Sequence, residues 1–274
     1  TLRTGIEKSR NLMTIRLSDK IGMEKILDTA KDFKIDNFMD ENLSMSLGSG
    51  SVNLIDLTNA YAMIVNGGKD IKPTLILSVH DKNGKQIINN EINKCINCLQ
   101  NKKKLDFNLP TITSLQKNIL DPRFAFQITS MLEGVVLRGT GKKISSLNTP
   151  LAGKTGTTND NKDAWFIGFS PDLALGVFVG FDKPKTLGYK QTGSAVAVPI
   201  FKKFMKDANI NSNKVPFRIP SGLSFVKIDQ STGLMTKDPD GVLEPFIVGT
   251  EPYNNNIIKL DSLSSINNNS ISGT

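Results

Sequence analysis

Apolar residues recur at helical spacing between Ser9 and Phe33: Leu12 and Ile15, then Met23, Ile26, Leu27 and Ala30. That period predicts a helical run with Gly22 as its break. From Leu54 to Val65 the apolar residues Leu57, Ala60, Tyr61 and Ile64 fall on one face. Asn53 precedes this run as an N-cap candidate, and Gly67-Gly68 ends it. Asp121-Pro122 gives a cap followed by proline at the first helical position, so a helix is expected from there to about Arg138, stopping at Gly139. Leu75 to His80 and Gln86 to Ile88 flank Asp81-Lys82-Asn83-Gly84, a hairpin signal, and a polar, lysine-rich connection over 89–120 follows. Pro150 to Thr158, Ala164 to Phe169 and Leu173 to Phe181 are short apolar runs divided by Asn159-Asp160-Asn161 and Ser170-Pro171-Asp172. Such short turns predict an antiparallel three-stranded meander. A helix from about Ala195 to Met205 follows it.

Beyond Pro216 the texture changes. Ser224 to Asp229 alternates apolar and polar, then Ser231-Thr232-Gly233 and Asp238-Pro239-Asp240-Gly241 mark turns. The chain thus divides into residues 1–216, a small β-rich extension at 217–253, and an Asn- and Ser-rich stretch at 254–274 expected to be disordered. No internal repeat is present.

Composition narrows the class. Apolar residues are 38% and charged residues 22% of 274, which supports a packed core. The net charge of +8 suits an acidic partner such as nucleic acid, anionic lipid or an anionic polymer, and is also an ordinary solubility feature. The chain lacks an aromatic-interleaved basic stripe and zinc-finger spacing, so nucleic acid is not an expected partner. It has no run of about 18 apolar residues of the kind that spans a membrane. Thr1 is not an initiating Met, so the chain is expected to continue upstream, with any membrane anchor there. Cys95 and Cys98 form a lone C-x-x-C, and a zinc site would need two further ligands beside the single histidine, His80. The pair is expected to be structural or incidental, and no metal is expected.

Two short motifs carry chemistry. One is Ser9-Arg10-Asn11 ahead of a helical run, and the other is Lys154-Thr155-Gly156-Thr157 on the first strand of the meander. S-x-N and K-T-G are two of the three motifs of serine enzymes that handle penicillin. S-x-N alone is weak: it recurs at Ser51/Asn53, Ser146/Asn148 and Ser265/Asn267. K-T-G arises by chance in only about a few per cent of chains this long.

The surrounding residues add more. Pro150 to Phe169 reads Pro-Leu-Ala-Gly-Lys-Thr-Gly-Thr-Thr-Asn-Asp-Asn-Lys-Asp-Ala-Trp-Phe-Ile-Gly-Phe. This closely resembles the K-T-G strand and hairpin of class A penicillin-binding proteins, the bifunctional glycosyltransferase-transpeptidases. The resemblance extends to Arg138-Gly139-Thr140-Gly141, to Leu47-Gly48-Ser49-Gly50 with the helix after it, and to Glu7-Lys8-Ser9-Arg10-Asn11-Leu12-Met13-Thr14, which selects Ser9 among the S-x-N candidates. Gly233-Leu234-Met235 and Gly249-Thr250-Glu251-Pro252 are similar to the C-terminal extension of the 1A type.

The resemblance implies an α+β fold: an antiparallel sheet flanked by helices, of the penicillin-binding/serine β-lactamase-like kind, incomplete at its N-terminus. It implies a D-Ala-D-Ala transpeptidase that works through an acyl-serine, with no cofactor, on peptidoglycan stem peptides, and that is a target of β-lactam antibiotics. Its site would face the periplasm at the inner membrane. Lys154 would supply a cation near the donor's terminal carboxylate. Thr155 belongs to the same substrate-binding strand, and Gly156 would keep the edge bare for the substrate backbone. Thr157 would offer its hydroxyl to the carboxylate and its N–H to an oxyanion hole. Ser9 would relay a proton toward the leaving group and Asn11 would bond the substrate amide.

The third motif, S-x-x-K, would stand some tens of residues ahead of Ser9 and has no room there. Ser114-Leu115-Gln116-Lys117 lies in the polar connection, and Ser224-Phe225-Val226-Lys227 lies in a strand-like stretch where residues three apart face opposite sides. Neither is expected to be catalytic, so the nucleophile is expected in an upstream remainder of the same protein. Missing the front of the sheet, the isolated chain should leave apolar faces uncovered and be marginally stable. A β-lactamase and a non-catalytic peptidoglycan- or synthase-binding module of this fold are the alternatives.

Overall fold

A computed structural model of the chain describes residues 1–36, 40–91, 93–96, 111–208 and 214–252. Its first helix, α1 (Leu2–Glu7), starts on a Thr1 cap whose side chain accepts from the Thr4 N–H. The apolar periodicity does not show this helix, because the side chains it buries include Arg3 and Glu7. Helices α2 (Asn11–Ile21) and α3 (Met23–Asp32) follow, separated as expected at Gly22, whose φ of 92° only glycine adopts freely. The expected single start at Ser9 is thereby corrected: Ser9 lies in the turn between α1 and α2.

A 3-10 helix (Leu43–Leu47) leads to α4 (Leu54–Val65). Asn53 occupies the cap position of α4 but makes no cap hydrogen bond; its amide donates to Asp56 Oδ2 at 2.9 Å instead. Burial of the Tyr61 phenol on this helix pushes its pKa up to about 12. The expected hairpin is present as β1 (Ser78–His80) and β2 (Gln86–Asn89), antiparallel, although Leu75 to Leu77 stand exposed ahead of the first strand. Asp81 Oδ1 accepts from the Asn83 and Lys85 N–H groups and stitches its turn.

The stretch read as a plain connection contains a further antiparallel pair, β3 (Asn93–Ile96) and β4 (Thr111–Ser114). Exposed Ile112 and Thr113 sit side by side on β4, so no buried face marks the pattern. The expectations for the Cys95–Cys98 pair and for the tail at 254–274 fall outside the described residues.

Helix α5 (Pro122–Leu137) begins as the sequence predicts, with Asp121 accepting from the Arg123 N–H and Pro122 at the first position. The meander is β5 (Ala152–Thr157), β6 (Ala164–Phe169) and β7 (Ala174–Val179), paired antiparallel in that order. Helix α6 (Ala197–Asp207) lies two residues later than the sequence places it. Strands β8 (Leu223–Ile228) and β9 (Val242–Ile247) make a separate antiparallel pair.

Two apolar layers hold the three-stranded sheet. On one face Phe166 and Val177 pack with Ile144, Val198, Phe201 and Met205, the Phe166 and Phe201 rings meeting edge to face at 4.8 Å. On the other face Ala152 and Phe169 pack with Leu132 and Phe217, and with Tyr61 and Val65 of α4. The architecture is therefore α+β with an antiparallel sheet between helices, as the sequence predicts. Among the described residues β5 and β7 pair on one side only. On the outer face of α6, Ile200 and Phe204 are exposed.

Helix α1 lies against α5, and the fit depends on missing side chains. A Cβ at Gly139 would stand 2.2 Å from the Glu7 carbonyl oxygen, and one at Gly134 would stand 1.9 Å from Glu7 Oε1. The β8–β9 pair closes the same corner: Gln127 of α5 donates to the Pro245 carbonyl at 2.8 Å, and Phe126 meets Phe225 at 6.0 Å. We expect Gly139→Ala to lower stability by about 1–3 kcal/mol through overpacking, read as a lowered denaturation midpoint. An unchanged midpoint would show that α1 is not seated against α5.

Candidate active site

The chain leaves α1 through a Schellman turn: the Arg10 N–H bonds the Gly5 carbonyl at 2.8 Å and the Ser9 N–H bonds the Ile6 carbonyl at 3.2 Å. That turn needs a left-handed residue at its pivot, usually glycine, and here it is Ser9 at φ 52°. A non-glycine residue at such a position costs about 1–2 kcal/mol, so the hydroxyl is kept against a backbone preference.

The hydroxyl has a partner. Lys154 Nζ lies 2.7 Å from Ser9 Oγ, across 145 positions of sequence, and 3.0 Å from the Thr155 carbonyl. Among the described residues this is the one hydrogen bond between a serine hydroxyl and a lysine ammonium. Burial lowers the Lys154 pKa to about 8, because the surroundings disfavour the ammonium. The structure thus brings Ser9 and Lys154 together. Asn11, the first residue of α2, is exposed two positions on and makes no side-chain hydrogen bond among the described residues.

The remaining strand residues are held from the opposite face. Thr155 Oγ1 lies 2.8 Å from Thr140 Oγ1, and the Thr140 carbonyl accepts from Ser194 Oγ at 2.8 Å. Thr157 Oγ1 accepts from the Gly193 N–H at 3.0 Å, which leaves the threonine's own O–H to be donated elsewhere. A Cβ at Gly193 would stand 2.5 Å from the Gly156 carbonyl oxygen, so only glycine lets this loop lie on the strand. At Gly156 a Cβ would meet Trp165 Cβ at 3.1 Å, a close fit between paired strand residues.

The sequence pattern does not point to Thr140, Gly193 or Ser194 as site residues. Thr140 stood in the Arg-Gly-Thr-Gly run without a role, and nothing local marks Gly193 or Ser194. The remaining Ser-x-x-Lys strings do not form pairs. Ser114 closes β4 and bonds Gln116, while Ser224 lies on β8 and bonds Glu251. His80 ends β1 on the far hairpin, and no cluster of three or more metal-ligating side chains occurs among the described residues.

A three-stranded antiparallel sheet between helices, with Lys-Thr-Gly-Thr on its edge strand and a Ser-x-Asn turn brought against it, defines the penicillin-interacting class of folds. Residues 1–206 match the family model of the penicillin-binding protein transpeptidase domain, and the chain belongs to that family. It is 43% identical over 277 residues to penicillin-binding protein 1A of Rickettsia typhi (strain ATCC VR-144 / Wilmington), covering 99% of this chain and 34% of that protein. Among solved structures it is similar to penicillin-binding protein 1A of Haemophilus influenzae, with a TM-score of 0.77 and 28% identity over 93% of this chain and 41% of that one. The fold also resembles the PonA1 protein of Mycobacterium tuberculosis in complex with penicillin V, with a TM-score of 0.63 and 22% identity over 81% of this chain and 59% of that one. The chain spans about a third of the length of the curated relative. No helix among the described residues is long and apolar enough to cross a membrane.

Two outcomes follow from this geometry. Ser9→Gly removes the hydroxyl but relieves the left-handed backbone, so the denaturation free energy should change by no more than about 1 kcal/mol. A loss of several kcal/mol would assign the serine a structural role. The Lys154 ε-carbon, followed by NMR and assigned with Lys154→Arg, should titrate near pH 8 rather than near 10.5. Between those two values the unfolded chain binds the extra proton, so this group alone makes the fold more stable as pH rises through the window. A midpoint near 10.5 would remove the argument from burial.

Proposed function

We propose that this chain is the C-terminal portion of the peptidoglycan-cross-linking transpeptidase domain of a bifunctional glycosyltransferase/transpeptidase. The observation that carries the reading is the 2.7 Å contact between Lys154 Nζ and Ser9 Oγ, which joins the two motifs at the edge of the sheet. On this reading residues 1–216 form part of the catalytic domain and 217–253 a small β-rich extension beside it. The domain stands at the periplasmic face of the inner membrane, anchored by an upstream segment.

The donor stem peptide ends in D-Ala-D-Ala and lies along the free edge of β5. Its terminal carboxylate is held by the Thr157 hydroxyl at the strand edge, with the Lys154 ammonium nearby, and the Thr157 N–H faces the developing oxyanion. A serine in the upstream part of the same protein attacks the penultimate carbonyl, and the C–N bond to the last D-Ala breaks. The departing nitrogen needs a proton. The Ser9 hydroxyl gives it and takes up in turn the proton released by the attacking serine, relayed through Lys154, whose ammonium regains what it passes on and whose pKa of about 8 suits exchange near neutral pH. Asn11 bonds the donor amide. The acyl group then passes to an amine of a second stem peptide, forming the cross-link and freeing the serine. A β-lactam enters the same site and stops at the acyl-enzyme. This chemistry requires no metal or organic cofactor, and nucleic acid has no place in it.

Intact-mass analysis after incubation with a fluorescent penicillin tests the reading. The 274-residue chain alone should carry no adduct, and the longer protein containing it should carry one per molecule. A stoichiometric adduct on the isolated chain would put the nucleophile within it and overturn the assignment of the upstream serine. No adduct on the longer protein would favour a binding module without catalysis.

A further inference from the structure

Ser9 is exposed, and outside its own turn its one hydrogen bond among the described residues is to Lys154, so the turn that carries it must be held by its neighbours. The residues just before it are tied down on both backbone and side chain. The Glu7 carbonyl accepts from the Thr140 N–H at 3.3 Å, and Lys8 Nζ donates to the Arg138 carbonyl at 2.7 Å. The Glu7 carboxylate, 1% exposed, accepts from Arg138 Nη2 at 2.5 Å and Nε at 3.2 Å, and from Arg3 Nη1 at 3.3 Å. It occupies the space left open by Gly134.

Arg3, 3% exposed, engages all three nitrogens of its guanidinium. Nη1 also reaches the Ser130 carbonyl at 2.9 Å, Nη2 reaches Ser130 Oγ at 2.8 Å, and Nε bonds Glu244 of β9. Two acids and two guanidiniums therefore share hydrogen bonds under α1, with the Glu133 carboxyl, its pKa raised by burial, in the field of both guanidiniums. Buried ion pairs of this kind add little net stability compared with apolar packing, and their attested use is to fix one geometry among several. The geometry at stake is on the page: Glu7 binds the segment at 138–140, Thr140 binds Thr155, Thr155 adjoins Lys154, and Lys154 binds Ser9, two residues from Glu7. The contacts close a ring.

We propose that Glu7 is a positioning residue for the Ser9–Lys154 contact, and that Glu244, acting through Arg3, lets the β8–β9 pair hold Glu7 in that position. The proposal rests on the reading of Ser9 as the proton donor. An apolar side chain of similar volume would fill the space under α1. It would not orient the carbonyl and carboxylate of residue 7 toward Arg138 and Thr140 at once.

The test is a double-mutant cycle in the full-length protein containing this chain, reading the rate of acylation by a fluorescent penicillin together with thermal denaturation. Glu7→Gln keeps the volume but cannot neutralise two guanidiniums. It should slow acylation about ten- to a hundredfold, the scale of a misplaced catalytic group. Because Glu7 acts through Ser9, adding Glu7→Gln to Ser9→Ala should cost little more than Ser9→Ala alone. Glu244→Gln should act in the same direction, more weakly and with the same lack of additivity. Acylation at the wild-type rate in folded Glu7→Gln, or a loss that multiplies in full with that of Ser9→Ala, would overturn the proposal. If Ser9→Ala itself acylates normally, the reading of Ser9 fails and the proposal with it, an outcome distinct from the first two. Should Glu7→Gln not fold, Arg138→Gln breaks the same contact from a side chain 34% exposed, and the same cycle decides.

Discussion

The site depends on the alternation of β5. In an antiparallel strand successive side chains leave opposite faces, so the register that puts Ala152 opposite Phe169 also decides where Lys154 and Thr155 point. Lys154 shares the face of Ala152 and Phe169, toward α1 and α5, where Ser9 waits. Thr155 and Thr157 share the face of the Phe166–Phe201 layer, where Thr140 and Gly193 meet them. A slip of one residue would place the ammonium in an apolar layer and turn both hydroxyls away from their partners. The core excludes that slip, because Ala152 of the same strand, fully buried with Leu132 and Phe169, would leave its layer as well. Hydrophobic burial on the two sides of the sheet thus sets the polar geometry at its edge.

The core seats α1 through Ile6, which packs against the layer of Leu132 and Phe169, but does not by itself fix the helix's approach. Its hydrogen bonds beside α5 add direction: the carboxylate of Glu7, the guanidiniums of Arg3 and Arg138, and the Ser130 and Thr140 backbone groups. Apolar packing tolerates small rotations and shifts, whereas charge-assisted hydrogen bonds with fixed donor directions do not. A helix that must deliver one hydroxyl to one ammonium at 2.7 Å is better fixed by the second kind of contact. The glycines at 134 and 139 serve the same end by letting the polar groups approach the α5 backbone.

This division of labour explains what could be read in the sequence. The meander, α4 and α5 bury apolar faces and begin or end on Asp-Pro, Gly-Gly or short polar turns, so periodicity and punctuation reveal them. Helix α1 buries Arg3 and Glu7, which a hydrophobic pattern counts as surface, so the helix that carries Ser9 into place was the one missed. Strand β4 escapes the pattern for the opposite reason: its adjacent residues Ile112 and Thr113 are both exposed, so no alternation marks it. At the site, Lys154 is legible in a motif that is rare by chance, whereas Ser9 is picked out from four S-x-N strings only by the residues around it. Thr140, Gly193 and Ser194 act through backbone groups and single hydroxyls brought together from distant segments, and no local spacing encodes that meeting.

The same residues show where the fold accepts a cost. Ser9 sits in a left-handed conformation, Lys154 is held with its ammonium disfavoured by burial, and Glu7, Arg3 and Glu244 are charges removed from water. Each is unfavourable taken alone, and all converge on one corner of the sheet. Strain and desolvation of this kind persist only where surrounding structure over-determines them. Here that structure is the pair of aromatic layers holding β5, together with the β8–β9 pair that closes over α1 through Glu244. The extension is therefore part of what makes the Ser9 turn affordable, and its packing on α5 belongs to the physics of the site as much as the motif strand does.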